Sequence, residues 1–368
     1  MRRSFLLLTS VGISILFAVS LLGAAIAVGA NTTSPKANGI KVLKTIDVGS
    51  DPSRPALNPI NHDLYVANSG SSSVSVISTA NNKVIKTLSV PSPYGDYYNP
   101  AGQNIYSLSP SSASISIIGL GNSIDSVIAL KYSPYGAGYD PLNKKMYVEA
   151  YYGNLVYVID AFTNKVVNRL SMNSPGGNPA YSPASHDMYV VDSNDNSVMV
   201  ISPSDKIIAN LPVGSDPERV NFDPANNEIY VANILGSSVT VISAKNTVVG
   251  TIATGSRPYQ MAFDAKNSDM YVAGDQTDSV TVISRSNVVV TTVTVGSTPD
   301  YDLAFDKANG AMYVPNNGDG TVSVISSSNV VIATVNVGLN PANCIYVPTN
   351  SEVYVLNDGS STVSVLSS

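Results

Sequence analysis

The chain has 368 residues, of which only 12% are charged, and a formal net charge of -6. That balance excludes a nucleic-acid groove, which needs clustered Lys and Arg. One cysteine and two histidines exclude an intramolecular disulfide and any redox centre built on several histidines.

At the amino terminus Arg2-Arg3 precede an apolar run from Phe5 to Val28, with small residues at Ala24-Ala25-Ile26-Ala27 and Val28-Gly29-Ala30. A basic start, an apolar core and a small-residue exit form the pattern of a secretory signal. At about 24 residues the run is also long enough to span a bilayer. Residues 1–30 are therefore expected to be a cleaved leader or a retained membrane anchor. Either outcome carries the rest of the chain out of the cytoplasm. Residues 31–38 read as a polar spacer, with an N-x-S/T sequon at Asn31-Thr32-Thr33, and residues 39–368 as one domain.

Lys41 to Val48 reads as an isolated strand, and a repeat follows it. Its marker is a tyrosine flanked by aliphatic residues: Tyr65, Tyr106, Tyr147, Tyr189, Tyr230, Tyr271, Tyr313 and Tyr354, spaced 41 or 42 residues apart. A fixed period of this size means a solenoid or a propeller. The first unit predicts four strands, at Pro55–Pro59, Leu64–Ala67, Val74–Ile77 and Val84–Val90, separated by Asn/Gly/Ser/Asp turns. Both faces of the second strand are apolar, so it must be covered on both sides. The fourth alternates Val84, Lys86, Leu88 with Ile85, Thr87, Ser89, as a half-solvated outer strand does.

Four strands per unit at this period predict a β-propeller blade. Eight tyrosines give eight blades; seven is the alternative. After Tyr354 only Val363–Leu366 follow as a further strand, so the segment Lys41–Val48 is expected to complete the last blade and close the ring.

Here the sequence resembles a known group. Tyr65-Val66-Ala67-Asn68 and Tyr230-Val231-Ala232-Asn233, each followed by a small-residue turn and Ser-Val-Ser-Val-Ile or Ser-Val-Thr-Val-Ile, are similar to the YVTN-type β-propeller repeat. Val213-Gly214-Ser215-Asp216-Pro217 and Val295-Gly296-Ser297-Thr298-Pro299 match its link between blades. The resemblance covers residues 39–368. Its members include archaeal surface-layer and secreted bacterial proteins, often seven-bladed. It implies an extracytoplasmic location and a binding role more than a reaction.

Within the repeat, His62 and His186 occupy one turn position, filled elsewhere by Gln103, Lys144, Asn227, Ser268, Gly310 and Ser351. A position that accepts all of these is a solvated turn, not a converging metal or catalytic site. Asp192-Ser193-Asn194-Asp195-Asn196 resembles the start of a calcium loop but lacks the glycine and glutamate that an EF-hand needs, and reads as a tight turn. Cys344 lies in an apolar strand without a histidine nearby in sequence and reads as an inert buried thiol.

Function on a repeat scaffold lives where the repeat varies. The variable positions follow the link prolines, in loops expected to ring the channel mouth. They supply the candidate binding residues Arg54, Tyr94, Tyr135, Glu218, Arg219, Tyr259, Gln260, Asp300, Tyr301 and Asn343. Tyrosine combines contact area with a hydrogen-bonding tip, which suits a peptide or glycan. A second candidate surface is the tyrosine-rich sector of blades 2 and 3, including Tyr97, Tyr98, Tyr132, Tyr151, Tyr152 and Tyr157.

The sequence assigns no catalytic residue, no metal and no cofactor. The leading expectation is a secreted or cell-surface module that binds a protein or glycan at the envelope, touching the membrane only through residues 5–28 if they stay uncleaved. The alternative is an extracellular hydrolase or lactonase-like enzyme with a metal-dependent site at the mouth, where Glu218, Asp96, Asp300 and Asp302 are the available carboxylates.

Overall fold

In the computed structural model, which describes residues 39–255, 257–275, 277–299 and 301–368, eight four-stranded antiparallel sheets form a ring. The expected leader and spacer lie outside the described residues. Among the described residues no helix is long and apolar enough to cross a membrane.

Blade 1 runs outward through Pro52–Leu57, Asp63–Asn68, Ser73–Ser78 and Lys83–Ser89. The innermost strands of blades 2 to 8 are Gly95–Asn99, Gly136–Asp140, Pro175–Tyr181, Pro217–Asp223, Pro258–Asp264, Ala304–Asp306 and Pro341–Val347. Each touches the innermost strand of the next blade, and that of blade 8 touches that of blade 1. Leu64, Tyr65, Val66 and Ala67 are all fully buried, because neighbouring blades cover both faces of the second strand.

The ring closes as expected. Val42–Asp47 pairs antiparallel with Thr362–Ser367 and becomes the outer strand of blade 8, with Val42 opposite Leu366 and Asp47 opposite Thr362. Ile46 is buried with Leu64, Val66, Tyr354 and Val363, so the closing strand seals the core between blades 8 and 1.

The marker tyrosines latch blade to blade. In seven blades the phenol donates to an Asn or Asp at the third turn of the following blade: Tyr65 to Asn122, Tyr106 to Asn164 (2.6 Å), Tyr147 to Asp205 (2.7 Å), Tyr189 to Asn246, Tyr230 to Asn287, Tyr271 to Asn329 and Tyr354 to Asn82. Tyr313 faces blade 8, where chain continuity is broken, and donates instead to the Ser367 carbonyl (3.3 Å).

The link motif has a packing cause. A Cβ on Gly214 would lie 2.6 Å from Cγ of Asn233, and Gly49, Gly296 and Gly338 meet Asn68, Asn316 and Asn357 in the same way. The asparagine then reaches the third strand, as Asn233 does at Thr240 Oγ1 (3.0 Å). In blades 2, 3 and 4 the second strand ends in Ser109, Ala150 and Asp192, and the links before those blades contain no glycine.

Asp192 shows why the calcium-like loop is a turn. Its carboxylate accepts from the Asn173 and Ser174 amides at 2.9 and 3.0 Å, and Asp195 accepts from the Asn173 side chain. The eight positions shared with His62 and His186 all have φ between 54° and 70°. They are the left-handed residue of the first hairpin turn, a backbone role that side-chain chemistry does not decide.

Candidate functional site

The mouth is built on the first residues of the innermost strands. Arg54, Glu218, Arg219, Tyr259, Gln260 and Asn343 lie inside those strands rather than in loops leading to them. The first strand of blade 1 begins at Pro52 instead of Pro55, with an irregularity between Ser53 and Ala56 where Arg54 takes φ 38°. Tyr94 and Tyr135 immediately precede their strands, and their backbone amides donate to the Leu108 and Glu149 carbonyls (2.8 and 3.0 Å).

Two arginines organise the mouth. The Arg54 guanidinium stacks 4.4 Å over Tyr94 and donates to Tyr97 Oη and the Tyr135 carbonyl, both at 3.2 Å. The Tyr97 hydroxyl donates in turn to Asn178 Oδ1 at 3.0 Å, which links blades 1 to 4 across the channel. Arg219 stacks 4.6 Å over Tyr259, donates to its hydroxyl at 2.9 Å and to the Glu218 carbonyl at 2.9 Å, and keeps its Nε without a partner. Such cation–π contacts hold each guanidinium over its ring.

Around these arginines lie two recesses of ≈ 210 and ≈ 420 Å³ that share Arg54, Tyr94, Arg219 and Tyr259. The smaller also has Tyr135, Glu149, Tyr151, Tyr152 and Glu218 in its wall; the larger has Gln260, Tyr301 and Asn343. Nine of the ten expected site residues therefore surround one opening, and Asp300 lies outside the described residues. They are not equally available. Asn343 is buried, accepts from the Arg54 amide and donates to Asp302 (3.1 and 3.0 Å), so it serves the scaffold.

Part of the second candidate surface, Tyr151 and Tyr152, adjoins the mouth. Tyr94 meets Tyr135 edge-to-face at 5.3 Å, Tyr135 meets Tyr151 and Tyr152 at 6.2 and 5.8 Å, and Tyr151 meets Tyr152 at 5.2 Å. Tyr151 and Tyr152 are 43% and 71% exposed, so this wall rises from the mouth into solvent. Tyr157, by contrast, is fully buried and accepts from the Lys131 and Tyr132 amides.

Glu149 is the mouth residue that sequence reasoning passed over. It stands two residues after Tyr147, where the other blades carry Ala67, Leu108, Val191, Ala232, Ala273, Pro315 and Leu356. A carboxylate at a position otherwise apolar was the available signal. Glu149 is 1% exposed and its Oε1 has no partner. Burial pushes its carboxyl well above the usual range, against the opposing pull of Arg219 and Arg54. Glu218 is raised for the same first reason, and burial lifts the Asp96 carboxyl to about 7.

Among the described residues no three His, Cys, Asp or Glu side chains converge as a metal site would require. Cys344 is buried, with its thiol pushed well up by desolvation and donating to the Asp302 carbonyl at 3.2 Å. That surrounding suppresses thiolate chemistry.

No protein-family model matches the chain, and no curated protein matches it. Solved structures do. The dihydro-heme d1 dehydrogenase NirN in complex with DHE is similar with a TM-score of 0.69 at 12% identity, over 84% of this chain and 72% of that one. Hydrazine synthase of Kuenenia stuttgartiensis gives 0.59 at 17% identity, over 75% and 95%. A catalytically inactive histidine-to-alanine variant of virginiamycin B lyase from Staphylococcus aureus, with quinupristin, gives 0.60 at 11% identity, over 89% and 99%. At these identities the likeness is one of fold, so what can be said of this chain from the comparisons is that it is a β-propeller.

Proposed function

We propose that this chain is an exported propeller of the YVTN type that binds a protein or glycan of the cell envelope at its channel mouth, without a chemical step. The observation that carries this reading is the continuous wall Tyr94–Tyr135–Tyr151–Tyr152 beside Arg54 and Arg219, with its outer two tyrosines open to solvent. Exposed aromatics next to ordered arginines are what binding hot spots are made of. Export rests on the apolar run Phe5 to Val28 behind Arg2-Arg3.

The enzymatic neighbours give the competing reading, and the histidines weigh against it. The lyase variant lost activity with a histidine, whereas the two histidines of this chain are hairpin-turn residues outside the mouth.

Immobilised wild type and a Tyr151→Ala/Tyr152→Ala double variant should be exposed to fractionated envelope protein and polysaccharide. Capture by the wild type that falls at least about tenfold in the variant supports the reading. Equal capture by both moves binding away from the mouth.

A further inference from the structure

The smaller recess has a chemistry of its own. Two of its lining residues, Arg219 and Glu149, each carry a buried polar atom without a hydrogen-bond partner, Nε and Oε1. Both residues are more than nine-tenths buried, at 5% and 1% exposure. An unpaired group at that depth costs free energy unless something arrives to pair it. Scaffold needs do not account for Glu149, since the other blades carry apolar residues where it stands.

Arg54 and Arg219 bring two guanidiniums to the recess; Glu218 Oε2 stands 4.0 Å from Arg219 Nη1, and burial raises the carboxyls of Glu149 and Glu218 above their usual range. Guanidinium donors lining a recess favour an acceptor that carries negative charge, and a carboxyl raised by burial opposes that acceptor less than a free carboxylate would.

Size and wall select the rest of the ligand. At ≈ 210 Å³ the recess admits about one ring and falls short of a drug-sized pocket of about 300 Å³ or more. Its rim offers five tyrosines, Tyr94, Tyr135, Tyr151, Tyr152 and Tyr259, each pairing a ring surface with a hydroxyl. A wall both apolar and hydroxyl-bearing matches a saturated ring with its own hydroxyls.

From this juxtaposition we propose that the recess takes a single acidic sugar unit, a pyranose bearing a carboxylate. The carboxylate sits against the Arg219 guanidinium beside Glu149, and the ring lies against Tyr135, Tyr151 and Tyr152. This rests on the reading of the mouth as a binding site and adds the class of ligand.

Titration calorimetry of the whole chain with a hexuronic acid, short oligouronides, the corresponding neutral hexose and a dipeptide carboxylate tests it. The uronate should bind at least about tenfold tighter than the neutral hexose, the worth of one charge-assisted contact. It should lose about tenfold in Arg219→Gln and in Tyr152→Ala; the second change removes an exposed side chain and keeps the test valid if Arg219→Gln fails to fold. Glu149→Gln, which keeps a donor, should retain binding while Glu149→Leu loses it. Equal binding of neutral hexose, or a dipeptide bound as tightly as the uronate, overturns the proposal. So does the absence of any sugar binding. Tyrosine-dependent capture of envelope material would then still uphold the mouth as a binding site, whereas loss of both results would remove both readings.

Discussion

The hydroxyl of Tyr354 donates to Oδ1 of Asn82, joining blade 8 to blade 1 across 272 residues. The same Asn82 donates from Nδ2 to Glu352 (2.8 Å), so one carboxamide ties down both the phenol and the carboxylate two residues before it. Asn122 with Asp63, Asn246 with Asp187 and Asn287 with Glu228 repeat the device at 2.8 Å. Blade 3 inverts it, pairing Lys145 with Asp205.

Removing the latch should loosen the ring one interface at a time. Tyr354→Phe deletes the bond without changing ring volume and leaves Asn82 Oδ1 wanting a donor, at a cost of about 1–2 kcal/mol. Tyr313→Phe should cost less, because its longer bond goes to the Ser367 carbonyl at the seam. Urea denaturation of the two variants checks the order.

The seam itself predicts a second outcome. Deleting residues 39–48 strips the outer strand from blade 8, exposes the edge Thr362–Ser367 and opens the core around Ile46. An unpaired edge recruits other chains. Truncated protein should elute as larger oligomers than the intact chain or aggregate, and adding a peptide of residues 39–48 should restore the elution position of the intact chain; size-exclusion chromatography reads both.

Acidity should stabilise this propeller. Burial raises the Asp96 carboxyl to about 7, while an unfolded chain leaves aspartate near about 3.9. Below the lower value both states are protonated and nothing is lost. Between the two values the unfolded state ionises first, so stability falls as pH rises and levels off above the upper one. At about 1.4 kcal/mol per unit the gap bounds the effect at about 4 kcal/mol, and Glu149 acts in the same direction. Melting temperature should be higher at about pH 5 than at about pH 8, and Asp96→Asn should flatten the slope.

Two glycines make a contrasting pair. Gly214→Ala drives a Cβ to within 2.6 Å of Asn233, which is fully buried, and should cost about 1–3 kcal/mol. Gly250 sits on an exposed outer strand with nothing within 4 Å of its added Cβ, so Gly250→Ala should be neutral or stabilise by about 0.5 kcal/mol. Thermal melts of the two variants distinguish them.

The blade plan was legible because burial on both faces forces a pattern that repeats, and Leu64 to Ala67 display it openly. The closing strand was legible for the same reason, since Lys41 to Val48 matches the outer strand and nothing else. What period alone does not carry is the third dimension of the mouth. The residues after each link proline looked like loops because Arg54 and its counterparts interrupt the apolar pattern; in blades 1, 4, 5, 6 and 8 they are strand residues at the channel mouth, where alternation has no solvent side to report. Tyr151 and Tyr152 looked like a separate surface because they lie in a second-to-third strand turn, yet they reach Tyr135. Glu149 was visible only as an exception to its column, which one must align by the tyrosines to notice.

Ser367 and Lys41 exchange hydrogen bonds at 3.0 and 3.1 Å, so the two ends of the described chain meet within one sheet. The break therefore occupies one of eight outer turns, and the other seven are bridged covalently by residues such as Asn246. Splicing Ser367 to Lys41 through a short linker and reopening the chain at Asn246 would yield a circular permutant with every sheet intact. Where such a protein starts is then a property of its gene, and the ring is indifferent to it.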